Sequence, residues 1–269
     1  MPYKFVALDL DGTTLSSQHT LSAKTISVLR RLSAKGLNIS IATGRSALSV
    51  FDHITALDLP RDMNIICYNG AVCLKVPKNG APPQTLFSRT IPPQAAKILY
   101  SLAEELKLVF QYYNGVSGEI YAVPTTEKHL ELLRRYETLS GTRQIRLSSF
   151  QEAENKCEAA KIVLLTDNVD QLIEVAKLRL PDNLFNIIRG SPDPFFVEFL
   201  PSYVSKGEAL VKMLELTNII ALSEVIAFGD GDNDKEFLEV SGLGVAMKNA
   251  RPSLKSVANV ILEVKTYCL

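Results

Sequence analysis

The stretch "LDLDGTT" (residues 8–14) closes the first apolar run of the chain, Lys4–Leu10, and sets Asp9 and Asp11 one residue apart. In an extended strand, residues i and i+2 point the same way. As the chain runs into Gly12, both carboxylates can therefore aim at one spot beyond the strand's carboxyl end. Like charges this close repel and raise each other's pKa unless a cation sits between them. A second acidic stretch, "FGDGDND" (228–234), carries Asp230, Asp232 and Asp234 and follows another apolar run, Val225–Phe228. Parallel strands of one sheet would bring both clusters to the same edge, where open α/β sheets bind ligands.

Outward from these stretches, strand-like and helical segments alternate. Leu21–Lys35 has Leu21, Ile26, Leu29 and Leu32 at helical spacing and Gly36 as a stop, while Leu37–Thr43 and Asn64–Tyr68 read as strands. The rhythm returns late: Lys206–Leu216 as a helix, Val225–Phe228 as a strand, Asp234–Val240 as a helix and Gly244–Met247 as a strand. Such alternation predicts a parallel α/β sheet covered on both faces. Two Pro- and Gly-rich segments, "PKNGAPP" (77–83) and "RGSPDP" (189–194), bracket the middle of the chain. Between them, Gln94–Lys107, Glu127–Tyr136 and Val169–Leu180 have helical periodicity, and "LVFQYY" (108–113) and "AAKIVLLT" (159–166) look like strands. The expected organisation is a Rossmann-like core of residues 1–82 and 193–269 with an α+β domain, 83–192, inserted. A single larger domain with two surface loops is the alternative.

Composition narrows the function classes. Lys plus Arg and Asp plus Glu both number 29, so no global field recruits nucleic acid or an anionic membrane. Cys67, Cys73, Cys157 and Cys268 are scattered without a CxxC pair or nearby His, which favours thiols over a zinc site. Met1-Pro2-Tyr3-Lys4 runs into an apolar strand rather than a signal-peptide pattern, and no apolar stretch approaches the ~18 residues a membrane span needs. A cytosolic protein is expected; its oligomeric state is not legible.

The acids suit a small hard dication. Mg²⁺ prefers oxygen ligands, takes few from protein and leaves positions for water and phosphate. A Ca²⁺ loop is the competing reading, but "DGDNDKEFLEVS" lacks the glycine at its sixth position and the acid at its twelfth. An aspartate can also attack phosphorus while a neighbouring acid protonates the leaving oxygen. Thr43 and Gly44 offer a hydroxyl and a backbone N–H to phosphate, and Lys206 adds a charge at a helix start. Blander readings stand beside these. "DLDG" alone is a common turn, and Lys206 alone is a solvated lysine. Gly229 and Gly231 start a dinucleotide fingerprint, but its third glycine is missing. His19, His53 and His129 are isolated and read as surface or satisfied histidines, Asp232 as solvent-facing. Tyr112 and Tyr113 either stack on a sugar or pack in a core.

In order and context, "DLDGT" (9–13), "ATGR" (42–45), "SKG" (205–207) and "GDGDND" (229–234) resemble the motifs of the haloacid dehalogenase superfamily. More narrowly, the chain resembles the Cof-type sugar-phosphate phosphatases, to which "YNGA" (68–71) and "VEFLPSYVSKGEAL" (197–210) are also similar. The resemblance implies a Rossmann-like core, a C2-type cap inserted between the second and third motifs, and Mg²⁺-dependent hydrolysis of a small phosphorylated metabolite. It makes Asp9 the nucleophile and a metal ligand, and Asp11 the general acid/base and a ligand through its backbone carbonyl. Asp230 becomes the third ligand, with Asp234 behind it orienting a metal-bound water or Lys206. Thr43, Gly44, Lys206 and Asn233 hold the phosphoryl group, and Arg45, Asn69 and Gly70 meet the substrate under a closing cap, with "QYYNGVSGEIYAV" (111–123) a place to look for specificity. The closing "ANVILEVKTYCL" departs from the Asn-acidic-acidic-Gly-Val ending common in that group, and Thr14 stands where relatives often have an aliphatic residue. Two rivals share the motifs: a phosphotransferase of the phosphomannomutase type, and a non-catalytic binder of a phosphorylated metabolite.

Overall fold

The computed structural model describes residues 2–263 apart from 116, 157, 191–194 and 219, with backbone alone for 154–156. Cys157, Cys268 and most of the "RGSPDP" segment lie outside the described residues. The chain divides into two compact units, residues 1–87 with 205–269, and residues 88–204.

In the first unit, strands β1 (Phe5–Asp9), β2 (Asn38–Ala42), β3 (Met63–Cys67), β4 (Val72–Val76) and β5 (Gln84–Ser88) come from the early part of the chain. β12 (Val225–Gly229), β13 (Leu243–Ala246) and β14 (Val260–Ile261) come from the late part. Their order is β14-β13-β12-β1-β2-β3-β4-β5. β14, β13, β12, β1, β2 and β3 run parallel, and β4 returns antiparallel to β3. All five residues of β1 are buried, as a strand covered on both faces requires. The pairing of Leu8 with Phe228 and of Asp9 with Ala42 puts the carboxyl ends of β1, β2 and β12 side by side. Phe5, Ala7, Val225 and Ala227 pack with Ala209, Leu210 and Met213 of α7 (Lys206–Thr217) and with Phe237 and Leu238 of α8 (Lys235–Glu239). Elsewhere, Arg30 of α1 (Ala23–Ala34) donates to the Leu57 carbonyl at the end of α2 (Ala47–Leu57) at 2.7 Å. Short polar residues start these helices: Ser22, Ser46 and Ser205 each accept the backbone N–H three residues on. Pro252 opens the short α9 (Pro252–Lys255).

The second unit is antiparallel in the main. β10 (Phe185–Arg189), β11 (Phe196–Pro201), β9 (Ala159–Leu165), β6 (Val109–Asn114), β7 (Ile120–Val123) and β8 (Ile145–Arg146) lie in that order. Only the β7–β8 pair among those described is parallel. Phe110, Tyr112, Ile162, Leu164, Val197 and Phe199 alternate onto one face and pack with α3 (Pro93–Glu105), α5 (Phe150–Lys156) and α6 (Val169–Arg179). On the opposite face the alternation sets Tyr113 beside Lys161, and Lys161 Nζ reaches Glu198 Oε1 at 2.6 Å. The ammonium also sits over the Tyr113 ring, whose hydroxyl is 2.8 Å from that of Tyr136 on α4 (Glu127–Ser140). Tyr112 stacks on Tyr121 at 5.1 Å between centroids. Both tyrosines of the 112–113 pair are thus core residues.

The units change over at 87/88 and 204/205, later than the expected 82/83 and 192/193. At the second crossing the cause is clear. The "FFVEFL" run forms β11, which is hydrogen-bonded between β9 and β10 in the second sheet. An apolar run bounded by turns looks the same in either sheet, and only pairing decides.

Candidate active site

At the end of β1, Asp9 is buried and its Oδ1 accepts from Lys206 Nζ at 2.6 Å. The same ammonium, 1% exposed at the start of α7, donates to Asp234 Oδ1 at 2.7 Å. Asp234 Oδ2 in turn accepts the backbone N–H groups of Asp230 and Gly231, at 3.0 and 2.9 Å. Burial alone would neutralise Lys206, but Asp234 and Asp9 outweigh it and hold the amine protonated well beyond its ordinary range. Asp9 is pushed well above the ordinary carboxylate value, first by burial and then by Asp234, with Lys206 opposing. Asp230 is raised too, by burial, against the Thr13 hydroxyl that donates to its Oδ1 at 3.0 Å.

One oxygen from each of Asp9, Asp230 and Asp234 lies within 4.8 Å of the others. With all three ionised, three carboxylates against one ammonium would leave two negative charges for a cation to offset, and the raised proton affinity of Asp9 and Asp230, due first to burial, reflects that excess as well. Asp9 Oδ2 is buried and accepts no hydrogen bond among the described residues. An all-oxygen donor set, an excess of two charges and an orphaned buried carboxylate oxygen together fit a hard dication such as Mg²⁺. Backbone geometry preserves the spacing. Gly12 has φ +82°, and a Cβ there would lie 2.2 Å from Asp230 Oδ2.

Further residues expected to bind phosphate come from the segment after β2 and the turn after β3. Thr43 is buried, and its Oγ1 accepts the Arg45 N–H at 3.1 Å. Tyr68 and Asn69 both have positive φ, and their N–H groups donate to the carbonyls of Arg45 and Thr43, fastening this turn to residues 43–45. Asn69 Oδ1 accepts from Asn233 Nδ2 at 2.9 Å. Gly70, at φ +114°, lets the turn touch α7: a Cβ there would meet the Ser205 carbonyl oxygen at 2.2 Å.

Asp11 points elsewhere. The Arg45 guanidinium forks onto its carboxylate, Nε to Oδ2 at 2.7 Å and Nη2 to Oδ1 at 2.6 Å. His19 Nδ1 stands 3.2 Å from Asp11 Oδ1 and 3.1 Å from Arg45 Nη2, and His53 Nε2 is 3.4 Å from Arg45 Nη1. Burial would raise Asp11, but Arg45 and His19 outweigh it and hold the carboxyl below its ordinary value.

Of the expected residues, Asp9, Thr43, Gly44, Asn69, Gly70, Lys206, Asp230, Asn233 and Asp234 belong to this linked set, with Gly44 packed against the Asn69 side chain, and Arg45 joins it through its backbone alone. Asp11 and Arg45 form an ion pair at its margin. Sequence reasoning missed Thr13 and Asn249, whose hydroxyl and amide donate to the two oxygens of Asp230, and the two histidines at the Asp11–Arg45 pair. Thr13 adjoins a motif, whereas His19 and His53 carry no local signal because only the fold brings them to Arg45. His129 is satisfied by Thr125 and the Lys107 carbonyl, and Asp232 is exposed beside Arg251.

Acids at adjacent ends of a parallel α/β sheet, with a buried lysine at the start of α7 between them, lie at the edge where open α/β sheets bind ligands. The family model for haloacid dehalogenase-like hydrolases matches residues 6–266, and the chain belongs to that family; its relatives place it among the phosphatases. A relative from Haemophilus influenzae is 31% identical over 262 residues, covering 97% of this chain and 93% of its own. The phosphatase YwpJ of Bacillus subtilis is 27% identical over 284 residues, covering 96% and 94%. A crystal structure of a haloacid dehalogenase-like hydrolase from Bacteroides thetaiotaomicron superposes with a TM-score of 0.81 at 26% identity, covering 96% of this chain and 93% of that one.

Proposed function

We propose that the chain hydrolyses small phosphomonoesters, sugar phosphates among them, through a phosphoryl group carried briefly on Asp9, with Mg²⁺ bound. The observation that carries this reading is the state of Asp9. One of its oxygens is anchored by Lys206, while the other is buried without a donor among the described residues and so keeps its lone pairs for another partner.

Asp9 Oδ2 attacks phosphorus in line, and the ester P–O bond breaks as the Asp9–phosphorus bond forms. Lys206 offsets charge on the phosphoryl oxygens, and Thr43 and the Gly44 N–H bind them. The leaving alkoxide takes a proton from Asp11. Asp11, again a carboxylate, then removes a proton from water, which attacks phosphorus and releases phosphate and free Asp9. The Arg45 fork favours the ionised Asp11 that the second step needs, so before the first step Asp11 must leave that fork and carry a proton, taken from solvent in the first cycle and from the attacking water thereafter. Asp9 and Asp230, with the Asp11 carbonyl, would hold Mg²⁺, and Asp234 would steady them from behind. When bound, the ion supplies charge neutralisation for the incoming phosphoryl group.

Phosphate release from a panel of phosphomonoesters, with Mg²⁺ and with EDTA, tests the reading. Wild type should turn over only with Mg²⁺, and Asp9→Asn should be inactive while remaining folded. Retention of even a few per cent of activity by pure Asp9→Asn would remove the nucleophile from the account.

A further inference from the structure

Resting on the reading that Asp230 holds the metal, we infer that Asn249 is a positioning residue for Asp230 and so sets the Mg²⁺ affinity of the site. Asn249 lies in the loop after β13, and that loop is sewn to the end of β12. The Met247 N–H donates to the Gly229 carbonyl and the Arg251 N–H to the Asp230 carbonyl, both at 3.0 Å. Held from both sides, the Asn249 side chain spans the two acidic stretches. Its Nδ2 donates to the Gly12 carbonyl at 2.9 Å and to Asp230 Oδ2 at 3.1 Å.

An amide nitrogen has two hydrogens, so both contacts are made at once. Thr13 holds Asp230 Oδ1 at 3.0 Å, so each oxygen of Asp230 is oriented by a neutral donor and its charge stays available to a cation. The contact with Gly12 fixes the turn that carries Asp11, so the same amide sets the distance between the Asp11 carbonyl and Asp230. Partners of this kind, one step removed from the ion, typically change metal affinity by about 10–100-fold. Asn249 is solvent-exposed and outside the packed core, so its replacement leaves the fold to form.

The test titrates Mg²⁺ calorimetrically into the whole chain without substrate, and separately into a phosphate-release assay. The proteins are wild type, Asn249→Ala, Asn249→Ser and the neighbouring control Lys248→Ala. Asn249→Ala should raise the calorimetric dissociation constant and the half-activating Mg²⁺ concentration together by about tenfold. Its kcat at saturating Mg²⁺ should stay within about twofold of wild type. Asn249→Ser, which keeps one donor, should fall between, and Lys248→Ala should match wild type. A Mg²⁺ dissociation constant unchanged in Asn249→Ala, or a loss of kcat that excess Mg²⁺ does not restore, would overturn the assignment. Wild type that takes up no Mg²⁺ would be a different failure, since it would overturn the metal reading underneath.

Discussion

Lys206 shows how far the site depends on burying charge. Its ammonium is shared by Asp9 and Asp234, and all three are buried. Breaking a buried ion pair by removing one partner costs about 3–5 kcal/mol, because the remaining charge is left uncompensated. Lys206→Met should therefore lose that much stability in urea unfolding with EDTA present, and should lose turnover as well. Near-wild-type stability would mean that the carboxylates tolerate each other without the amine. The motif "SKG" made this lysine legible as a site residue, but not its double engagement. Spacing in a sequence places a residue on an element and says nothing about which two carboxylates, 197 and 28 positions away, will face it.

The elements of the first unit follow closely from the sequence, since β1, β2, β3, β12 and α7 are apolar runs or clean periodicities bounded by turn residues. α2 was not legible. "ALSVFDHITAL" is apolar on most sides, exposes Leu48 and mixes in β-branched residues, so periodicity and propensity give no agreed answer. The turn 68–70 was legible as a motif, yet its purpose is a matter of contact: Gly70 lets it press against the start of α7. Gly70→Ala should cost about 3 kcal/mol or more, from the left-handed backbone and from overlap with a carbonyl that cannot rotate away. A thermal melt of the variant reads this directly, and an unchanged midpoint would contradict the close approach. In the second sheet, the β9–β11 pair carries its own charged core. Burial lowers Lys161, but Glu198 and Tyr136 outweigh it and raise the amine above its ordinary value. The stability it contributes is fully present below the ordinary lysine value and lost as pH rises through the folded one. Glu198→Gln should destabilise the second unit by about 3–5 kcal/mol at neutral pH, with a smaller difference from wild type at strongly alkaline pH. A difference that grew as pH rose would refute this sign.

For the whole molecule, the balanced charge and the four motifs pointed to an α/β hydrolase with a second unit inserted, and the family match over residues 6–266 agrees with the class. The inserted unit's outline was less legible than its existence, because β11 resembles a core strand until its partners are known. No helix among the described residues is long and apolar enough to cross a membrane. In the proposed reaction Asp9 forms a bond to phosphorus. The most direct test is an acid-quenched single turnover with a phosphate-labelled substrate and Mg²⁺, followed by mass spectrometry of the peptide that contains Asp9. The expected result is label on Asp9 that appears before free phosphate and decays into it, and no labelled peptide from Asp9→Asn. Free phosphate appearing at full rate while Asp9 never carries label would mean that water attacks the substrate directly, and the nucleophile assignment would fall.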